Sequence, residues 1–251
     1  MEVGFIGSGN MARALARGWG EPVRATDGGS GRAAQLVAEL GGEVMGSNAE
    51  LAEACDLVIL CHKPRQLDVV AREIAGRTPI IASVLGATSV ETLQAAFPAT
   101  QVFRLMPNTP VEVGRGVICY SPAPDVDPET ERAVLDRFLR LGTVVTLDES
   151  RMEAATGIMG VAPAYWALMA EAHIDAGVKA GLPAPLAAEL AVEALAGTAE
   201  LLRRRGFDTL AVRREVTSPG GSTARGLAAL ERAGIRAAFL DALDAVIDPT
   251  R

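Results

Sequence analysis

The chain has 251 residues, and its acidic and basic residues leave a net charge of -7. A chain of this length buries enough surface to fold without disulfides or structural metals, and it has room for one large domain or two smaller ones. Net acidity argues against a general nucleic-acid-binding protein, which needs a basic patch or stripe. We therefore expect no nucleic-acid partner.

The cysteines and the N-terminus indicate the compartment. Cys55, Cys61 and Cys119 lack metal-ligand spacing, so they are expected to be buried thiols, with neither a disulfide framework nor a metal site. The N-terminus lacks the basic and apolar segments of an export signal, and no apolar run reaches the roughly 20 residues of a membrane span. The sequence predicts a cytoplasmic protein that does not bind membranes.

Short apolar runs alternate with helical patterns up to about residue 148. The predicted strands are Val3–Ile6, Val23–Thr26, Leu57–Leu60, Ile80–Ser83, Val102–Leu105, Val117–Tyr120 and Val144–Leu147. Helical spacing covers Met11–Trp19, Gly31–Leu40, Arg65–Ala75, Val90–Ala96 and Pro128–Leu141. Such alternation favours a mostly parallel sheet covered on both faces. We predict a doubly wound α/β domain over residues 1–148.

Strand patterns stop at Glu149, and Ala/Leu-rich helical stretches follow. These stretches are Ala164–Ala180, Pro185–Arg205, Ser222–Ala233 and Ile235–Ile247. Gly181 and Gly206 stand where C-terminal caps are expected. We predict an all-helical second domain over residues 149–251, with apolar faces broad enough to be buried against another copy of the chain.

A glycine-rich turn follows the first predicted strand. Gly7, Ser8, Gly9, Asn10 and Met11 precede Ala12, which gives the pattern Gly-x-Gly-x-x-Ala at the entry to a helix. In dinucleotide-binding folds the first glycine allows the tight turn, and the second lets the backbone approach a pyrophosphate. The helix N-terminus then offers its N–H groups to the phosphates. This context predicts a Rossmann-type cofactor site.

Asp27 follows the second predicted strand and has two interpretations. An acidic residue here usually accepts hydrogen bonds from the adenosine ribose and repels a 2′-phosphate; alternatively, Asp27 is only a helix cap. The loop behind it carries Ser30 and Arg32, a hydroxyl and a guanidinium. The sequence therefore leaves the choice between NADH and NADPH open.

Polar residues also follow two later strands. The predicted strand Leu57–Leu60 is followed by Cys61, His62, Lys63 and Pro64. In an open α/β sheet, ligands bind at the carboxyl ends of the strands. Lys63 is either a ligand contact or a solvated loop residue. We expect His62 to be a packed or surface residue and not a catalyst. His173 lies in the middle of a predicted helix and is expected to be structural.

Asn108 lies in the turn Met106-Pro107-Asn108-Thr109-Pro110, after another predicted strand. The two prolines enforce an extended turn. The Asn108 amide has both donors and acceptors for a carboxamide, so we expect it to contact the nicotinamide.

The helical half is interrupted by Val216-Thr217-Ser218-Pro219-Gly220-Gly221-Ser222-Thr223. Pro219 disfavours helix continuation by about 3 kcal/mol. Gly220 and Gly221 can expose backbone N–H groups, and a helix beginning near Ser222 adds its N-terminal dipole. The segment predicts a cradle for a carboxylate, although capping of a helix by the hydroxyls is the simpler alternative.

Together these segments resemble the pyrroline-5-carboxylate reductase family over essentially the whole chain. The matching residues are Gly7-x-Gly9-x-Met11, Lys63-Pro64, Met106 to Pro110, Pro163-Ala164-Tyr165, Gly181-Leu182, and Val216 to Thr223 with Gly226-Leu227 and Leu230-Glu231. The resemblance implies reduction of a cyclic imine to L-proline by NADPH or NADH. It also implies a homodimer built through the C-terminal helices.

The resemblance implies site residues as well. The cofactor would be lined by Asn48, by Cys61 to Pro64 and by Ser83, Val84 and Leu85. The substrate would lie against Ser218, Gly220, Gly221, Ser222 and Thr223, with Thr223, Ser218 and Lys63 as the candidate catalytic residues. Since an iminium is already electrophilic, positioning is expected to carry most of the catalysis.

One segment departs from the family. The chain has Met159-Gly160-Val161-Ala162 before Pro163, where the family has Ser-Gly-Ser-Gly, so two hydroxyls are lost. A reductase for another imine or for a β-hydroxyacid is therefore an alternative. The β-hydroxyacid reading lacks its expected lysine between Glu149 and His173. A non-catalytic nucleotide sensor on the same fold is a further alternative.

Overall fold

The structure is a computed structural model that describes residues 1–247. It divides into two compact units, residues 1–163 and residues 164 onward. The first unit extends past residue 148 because the helix Met152–Met159 packs on the sheet. The predicted domain boundary between residues 148 and 149 stays a prediction. The last four residues of the predicted second domain, 248–251, lie outside the described part.

The first unit is built on a single eight-stranded sheet. Its strands are β1 (Val3–Ile6), β2 (Val23–Thr26), β3 (Gly42–Val44), β4 (Leu57–Leu60), β5 (Ile80–Ser83), β6 (Gln101–Pro107), β7 (Gly116–Ser121) and β8 (Gly142–Thr146). The order is β3-β2-β1-β4-β5-β6-β7-β8. The pairs from β3 to β6 are parallel, whereas β7 runs antiparallel to β6 and parallel to β8. The doubly wound, mostly parallel sheet is confirmed.

Seven helices accompany the sheet in residues 1–163. They are α1 (Asn10–Trp19), α2 (Arg32–Leu40), α3 (Asn48–Ala54), α4 (Leu67–Ile74), α5 (Val90–Ala96), α6 (Pro128–Leu139) and α7 (Met152–Met159). Ser47, Ser89 and Asp127 accept hydrogen bonds from first-turn N–H groups of α3, α5 and α6, which satisfies donors that a helix leaves unpaired.

The two faces of the sheet bury separate apolar clusters. One contains Phe5, Leu15, Trp19 and Phe103, and the other is formed around Leu60. β1, β4 and β5 are covered on both faces, which explains their continuous apolar sequences. The strand order reverses between β1 and β4. A ligand site is therefore expected at the carboxyl ends of these two strands.

The second unit contains helices joined by short turns, and no strand is found in its described part, residues 164–247. Its helices are α8 (Ala162–Lys179, which begins at the end of the first unit), α9 (Ala184–Arg204), α10 (Thr209–Glu215), α11 (Ser222–Arg232) and α12 (Ile235–Ile247). Gly181 and Gly206 adopt positive φ angles of 97° and 61° just after α8 and α9, as predicted for helix caps. The sequence patterns missed α10, a short helix.

Candidate functional site

The turn between β1 and α1 has the geometry of a diphosphate cradle. Gly7 has φ +94°, and a Cβ there would lie 2.7 Å from the backbone nitrogen of His62. At Gly9, by contrast, a Cβ would meet no atom within 4 Å. No side chain caps α1, so its first-turn N–H groups remain available. The residues present therefore fit an anionic diphosphate at this turn.

A cleft of about 1020 Å³ opens beside this turn. Its walls come from the loops after β1, β2 and β4, the carboxyl edge at which the strand order reverses. The structure brings twelve of the predicted cofactor residues into its lining, namely Gly7, Ser8, Gly9, Asn10, Met11, Asp27, Ser30, Arg32, Asn48, Cys61, His62 and Lys63. A dinucleotide has room here.

Asp27 organises its own loop. Its Oδ1 accepts from the backbone N–H groups of Gly29 at 2.8 Å and Ser30 at 3.0 Å. Its Oδ2 accepts from the backbone N–H of Ala33 at 2.8 Å and from the Ser30 hydroxyl at 3.2 Å. These bonds, foremost that from Ala33, lower the pKa of Asp27. Both oxygens are fully used, which favours the interpretation of Asp27 as a cap over a ribose contact.

Asn48 links two walls of the cleft. Its Oδ1 accepts from the Thr26 hydroxyl at 2.6 Å, and its Nδ2 donates to Glu73 Oε2 at 2.6 Å. The amide orientation is therefore determined by groups on β2 and α4. Glu73, like Gln66 and Val69, lines the cleft and was missed from the sequence. The available signal was the spacing of Val69 and Glu73, which stand four residues apart and therefore on one face of α4.

The segment after β4 contains no activated acid or nucleophile. Burial raises the pKa of the Cys61 thiol and lowers the pKa of His62. The Nδ1 of His62 lies 2.9 Å from the carbonyl oxygen of Lys63, which can only accept, so Nδ1 carries the proton. Lys63 itself is exposed. His62 is a packed, neutral ring, as expected.

Several predicted cofactor residues lie outside the lining of the cleft: Pro64, Ser83, Val84, Leu85 and Asn108. Pro64 begins a short 3₁₀ turn. Ser83 is buried, its Oγ accepts from the Leu85 N–H at 3.3 Å, and the Val84 N–H donates to the Leu60 carbonyl at 3.2 Å. These contacts belong to the end of the sheet.

The Asn108 side chain is hydrogen-bonded to backbone groups and does not line the cleft. Its Nδ2 donates to the Met159 carbonyl at 3.0 Å, and its Oδ1 accepts from the Val117 N–H at 2.8 Å. The side chain is buried. This geometry counts against the predicted nicotinamide contact, because the amide joins β7 to the end of α7.

The segment Ser218 to Thr223 lies in the second unit and covers the end of the turn between α10 and α11 and the first two residues of α11. The Gly221 N–H donates to the Ser218 carbonyl at 3.0 Å, and Gly220 has φ +68°, a turn that proline and glycine favour. No side chain caps α11. The hydroxyls of Ser218, Ser222 and Thr223 are exposed, without partners among residues 1–247. Simple capping by these hydroxyls is therefore wrong.

Residues 1–247 contain no group of three His, Cys, Asp or Glu side chains that could hold a metal ion. Within the same residues, no helix combines the length and apolar character needed to cross a bilayer.

The sheet order and the glycine turn at its reversal define the first unit as a Rossmann-type dinucleotide-binding domain. Residues 2–86 match the family model "NADP oxidoreductase coenzyme F420-dependent", and residues 149–251 match "Pyrroline-5-carboxylate reductase dimerisation". The chain is 37% identical to pyrroline-5-carboxylate reductases from Synechocystis, over 98% of this chain and 95% of the relative, and from Thermus thermophilus, with the same coverage. This chain belongs to the pyrroline-5-carboxylate reductase family.

Solved structures show the same similarity. The Plasmodium falciparum pyrroline carboxylate reductase with NADP bound has a TM-score of 0.88 at 29% identity, covering 99% of this chain and 96% of that one. The Streptococcus pyogenes 1-pyrroline-5-carboxylate reductase also has a TM-score of 0.88, at 27% identity, covering 99% and 97%. The dimerisation model indicates a homo-oligomer.

Proposed function

We propose that this protein is an NAD(P)H-dependent reductase that converts the cyclic imine 1-pyrroline-5-carboxylate to L-proline. The observation that carries the proposal is the 37% sequence identity to pyrroline-5-carboxylate reductases over 98% of the chain. It is supported by the cleft and by the open segment Ser218 to Thr223. When bound, the reduced nicotinamide supplies a hydride to the imine carbon, and a proton goes to nitrogen.

The residues of the chain bind and orient the substrate. The uncapped first-turn N–H groups of α11 suit an anionic carboxylate. The Gly221 N–H, predicted to be exposed, is instead bound to the Ser218 carbonyl. The exposed Thr223 hydroxyl is proposed to orient the ring nitrogen, and Ser218 to complete the cradle. Lys63, exposed beside the cleft, is retained as a candidate for a charge contact. No strong acid is required, since a protonated imine is already electrophilic.

For the cofactor we propose a preference for NADPH. A ribose-binding carboxylate would repel a 2′-phosphate, but the Asp27 oxygens are taken up by the loop's own donors. Ser30 and Arg32 lie in the same cleft, and a guanidinium suits a phosphate. Comparing kcat/KM for NADPH and NADH tests this proposal; a preference for NADH would contradict it.

The dimer is proposed to form through the helices of the second unit. Within one chain, α8, α9 and α12 expose large apolar side chains, including Trp166, Leu168, Leu190, Val192 and Leu240. Apolar surface of this extent marks an interaction site. Light scattering of the purified protein measures the mass, and a monomer at micromolar concentration would contradict the proposal.

The decisive experiment follows NADPH and NADH oxidation with 1-pyrroline-5-carboxylate and identifies the product as L-proline. Turnover with either cofactor supports the proposed function. Cofactor binding without turnover would instead favour the nucleotide-sensing regulator. The cytoplasmic location stays a prediction.

A further inference from the structure

A row of buried polar residues crosses the sheet next to the end of β5. Ser83 on β5 is the register partner of Arg104 on β6, which is the partner of Ser121 on β7. In-register side chains of neighbouring strands share one face. All three residues are buried, and Arg104 is only 8% exposed. A charge at this depth is costly unless it is paired.

The partner of Arg104 is Glu149. Arg104 Nη1 forms an ion pair with Glu149 Oε1, and the same oxygen accepts a 2.7 Å hydrogen bond from the Val90 N–H. Glu149 therefore joins three elements: β6, the first residue of α5, and the turn that leads into α7. Glu149 is also the first residue matched by the dimerisation model.

The element held at Val90 follows the loop after β5. This loop, residues 84–89, begins with two residues of the predicted cofactor set and contains Ala87 at φ +52°. A non-glycine residue in the left-handed region is strained and persists only where its surroundings hold it. Ser83 holds one end of the loop through the Leu85 N–H, and Glu149 holds the other through Val90.

The element that follows Glu149 is α7, which is held at both ends. Near its start, Glu149 contacts Arg104, and at its end the Met159 carbonyl accepts from Asn108. Between these contacts Met152 and Met159 pack on Cys119 of β7. The segment Met159–Ala162, where the sequence predicts a departure from the family, begins at the last residue of this helix.

We propose that Arg104 and Glu149 are a positioning pair for hydride transfer. The pair fixes the loop after β5 and the start of α7 in one arrangement. The predicted cofactor residues Val84 and Leu85 and the segment after Met159 are thereby held in a constant relation. The inference rests on the proposed function, because hydride transfer is the step that depends on this geometry. Neither residue contacts the reacting atoms in this account; both act through Val90 and α7.

The chain offers a matched control, a second Arg–Glu pair near the amino ends of the strands. Arg137 pairs with Glu21 at 2.7 Å, and its side chain is 18% exposed. The Nε atoms of Arg104 and Arg137 are both buried without a partner in the described residues. Glu21 comes just before β2 starts, so this pair lies at the amino ends of the strands, away from the cleft. Loss of either pair is expected to destabilise the fold.

The experiment compares Arg104→Met, Arg104→Lys and Glu149→Gln with Arg137→Met in the full-length enzyme. For Arg104→Met we expect kcat to fall about 10- to 100-fold, the scale of misplaced reacting groups, with the KM for the imine and the Kd for NADPH nearly unchanged. The primary isotope effect with 4-deuterated NADPH should rise, since hydride transfer becomes slower. Arg104→Lys keeps the charge and should recover most of kcat.

The control should separate positioning from stability. Arg137→Met is expected to lower the unfolding free energy, as Arg104→Met does, and to leave kcat and the isotope effect unchanged. If Arg104→Met loses stability alone, with kcat at the wild-type value, the proposal is overturned. An equal loss of kcat in Arg137→Met would overturn it as well.

A second readout keeps this inference apart from the proposed function. The fluorescence emission of bound NADPH reports the nicotinamide surroundings without any imine present. We expect a shifted emission in Arg104→Met and Glu149→Gln but not in Arg137→Met. Absence of wild-type turnover with the imine would refute the proposed function alone, whereas unchanged emission in Arg104→Met would refute the positioning role.

Discussion

The cofactor cleft and the segment Ser218 to Thr223 treat their polar groups in opposite ways. In the cleft, Asp27 and Asn48 are bonded within the chain. In the segment, three hydroxyls are exposed and have no partner among residues 1–247. Groups already satisfied shape a site, whereas groups left open are available to a ligand. This difference fits the proposal that the cleft is preformed and that the segment supplies direct substrate contacts.

The largest loss is expected when a methyl group is added inside the preformed cleft. Gly9→Ala places a methyl group where the chain has no atom within 4 Å, so we expect normal stability and a loss of NADPH affinity of about 100-fold or more, because backbone can no longer approach the pyrophosphate. Fluorescence titration measures the Kd and thermal unfolding the stability.

Gly7→Ala is the matched variant. Its Cβ would lie 2.7 Å from the His62 nitrogen at φ +94°, so both stability and affinity should fall. If Gly9→Ala binds NADPH like the wild type, the diphosphate does not lie at this turn.

The open segment is tested by removing one hydroxyl. Thr223→Ala should lower kcat/KM for the imine about 10-fold or more, as loss of an oriented donor does, while the Kd for NADPH stays constant. Thr217→Ala is the control, because the Thr217 hydroxyl already donates to the Arg213 carbonyl at 2.5 Å. Equal kinetics in the two variants would remove Thr223 from the site.

A substitution at Asp27 tests whether this residue only caps its own loop or contacts the cofactor ribose. Asp27→Ala removes the acceptor for four donors in its loop, and we expect a loss of about 1 kcal/mol in unfolding free energy, typical of a cap. Affinity for NADH and NADPH should fall by similar factors.

Asp127→Ala, which removes the cap of α6 outside the cleft, should cost similar stability without affecting either cofactor. A selective gain in NADPH affinity in Asp27→Ala would show that Asp27 contacts the ribose.

His62 is expected to make a small contribution to the pH dependence of the unfolding free energy. Burial lowers its pKa in the folded state, so the unfolded chain binds the extra proton first as the pH falls through about 6.5. The contribution of His62 to stability is therefore complete above that pH and is lost below it. Unfolding free energies at pH 7 and pH 5 should differ less in His62→Gln than in the wild type, with exposed His173→Gln as control. An unchanged difference in His62→Gln would contradict this account.

The elements that could be read from the sequence share a strong local signal. Continuous apolar runs marked β1, β4 and β5, and the glycine spacing marked the turn into α1. β3 was missed because its three residues are exposed and carry no apolar run. The reversed direction of β7 was not readable either, since strand direction depends on how the connection crosses the sheet.

The candidate site divides in the same way. The glycine turn, the break at Pro219 and the family could all be predicted from the sequence, because they depend on backbone freedom and on residue order. The partners of Asp27 and Asn108, and the pairing of Arg104 with Glu149, became visible only in the folded structure. Each of these contacts depends on backbone donors or side chains that the fold brings near, and a polar side chain binds whichever unsatisfied group lies within reach.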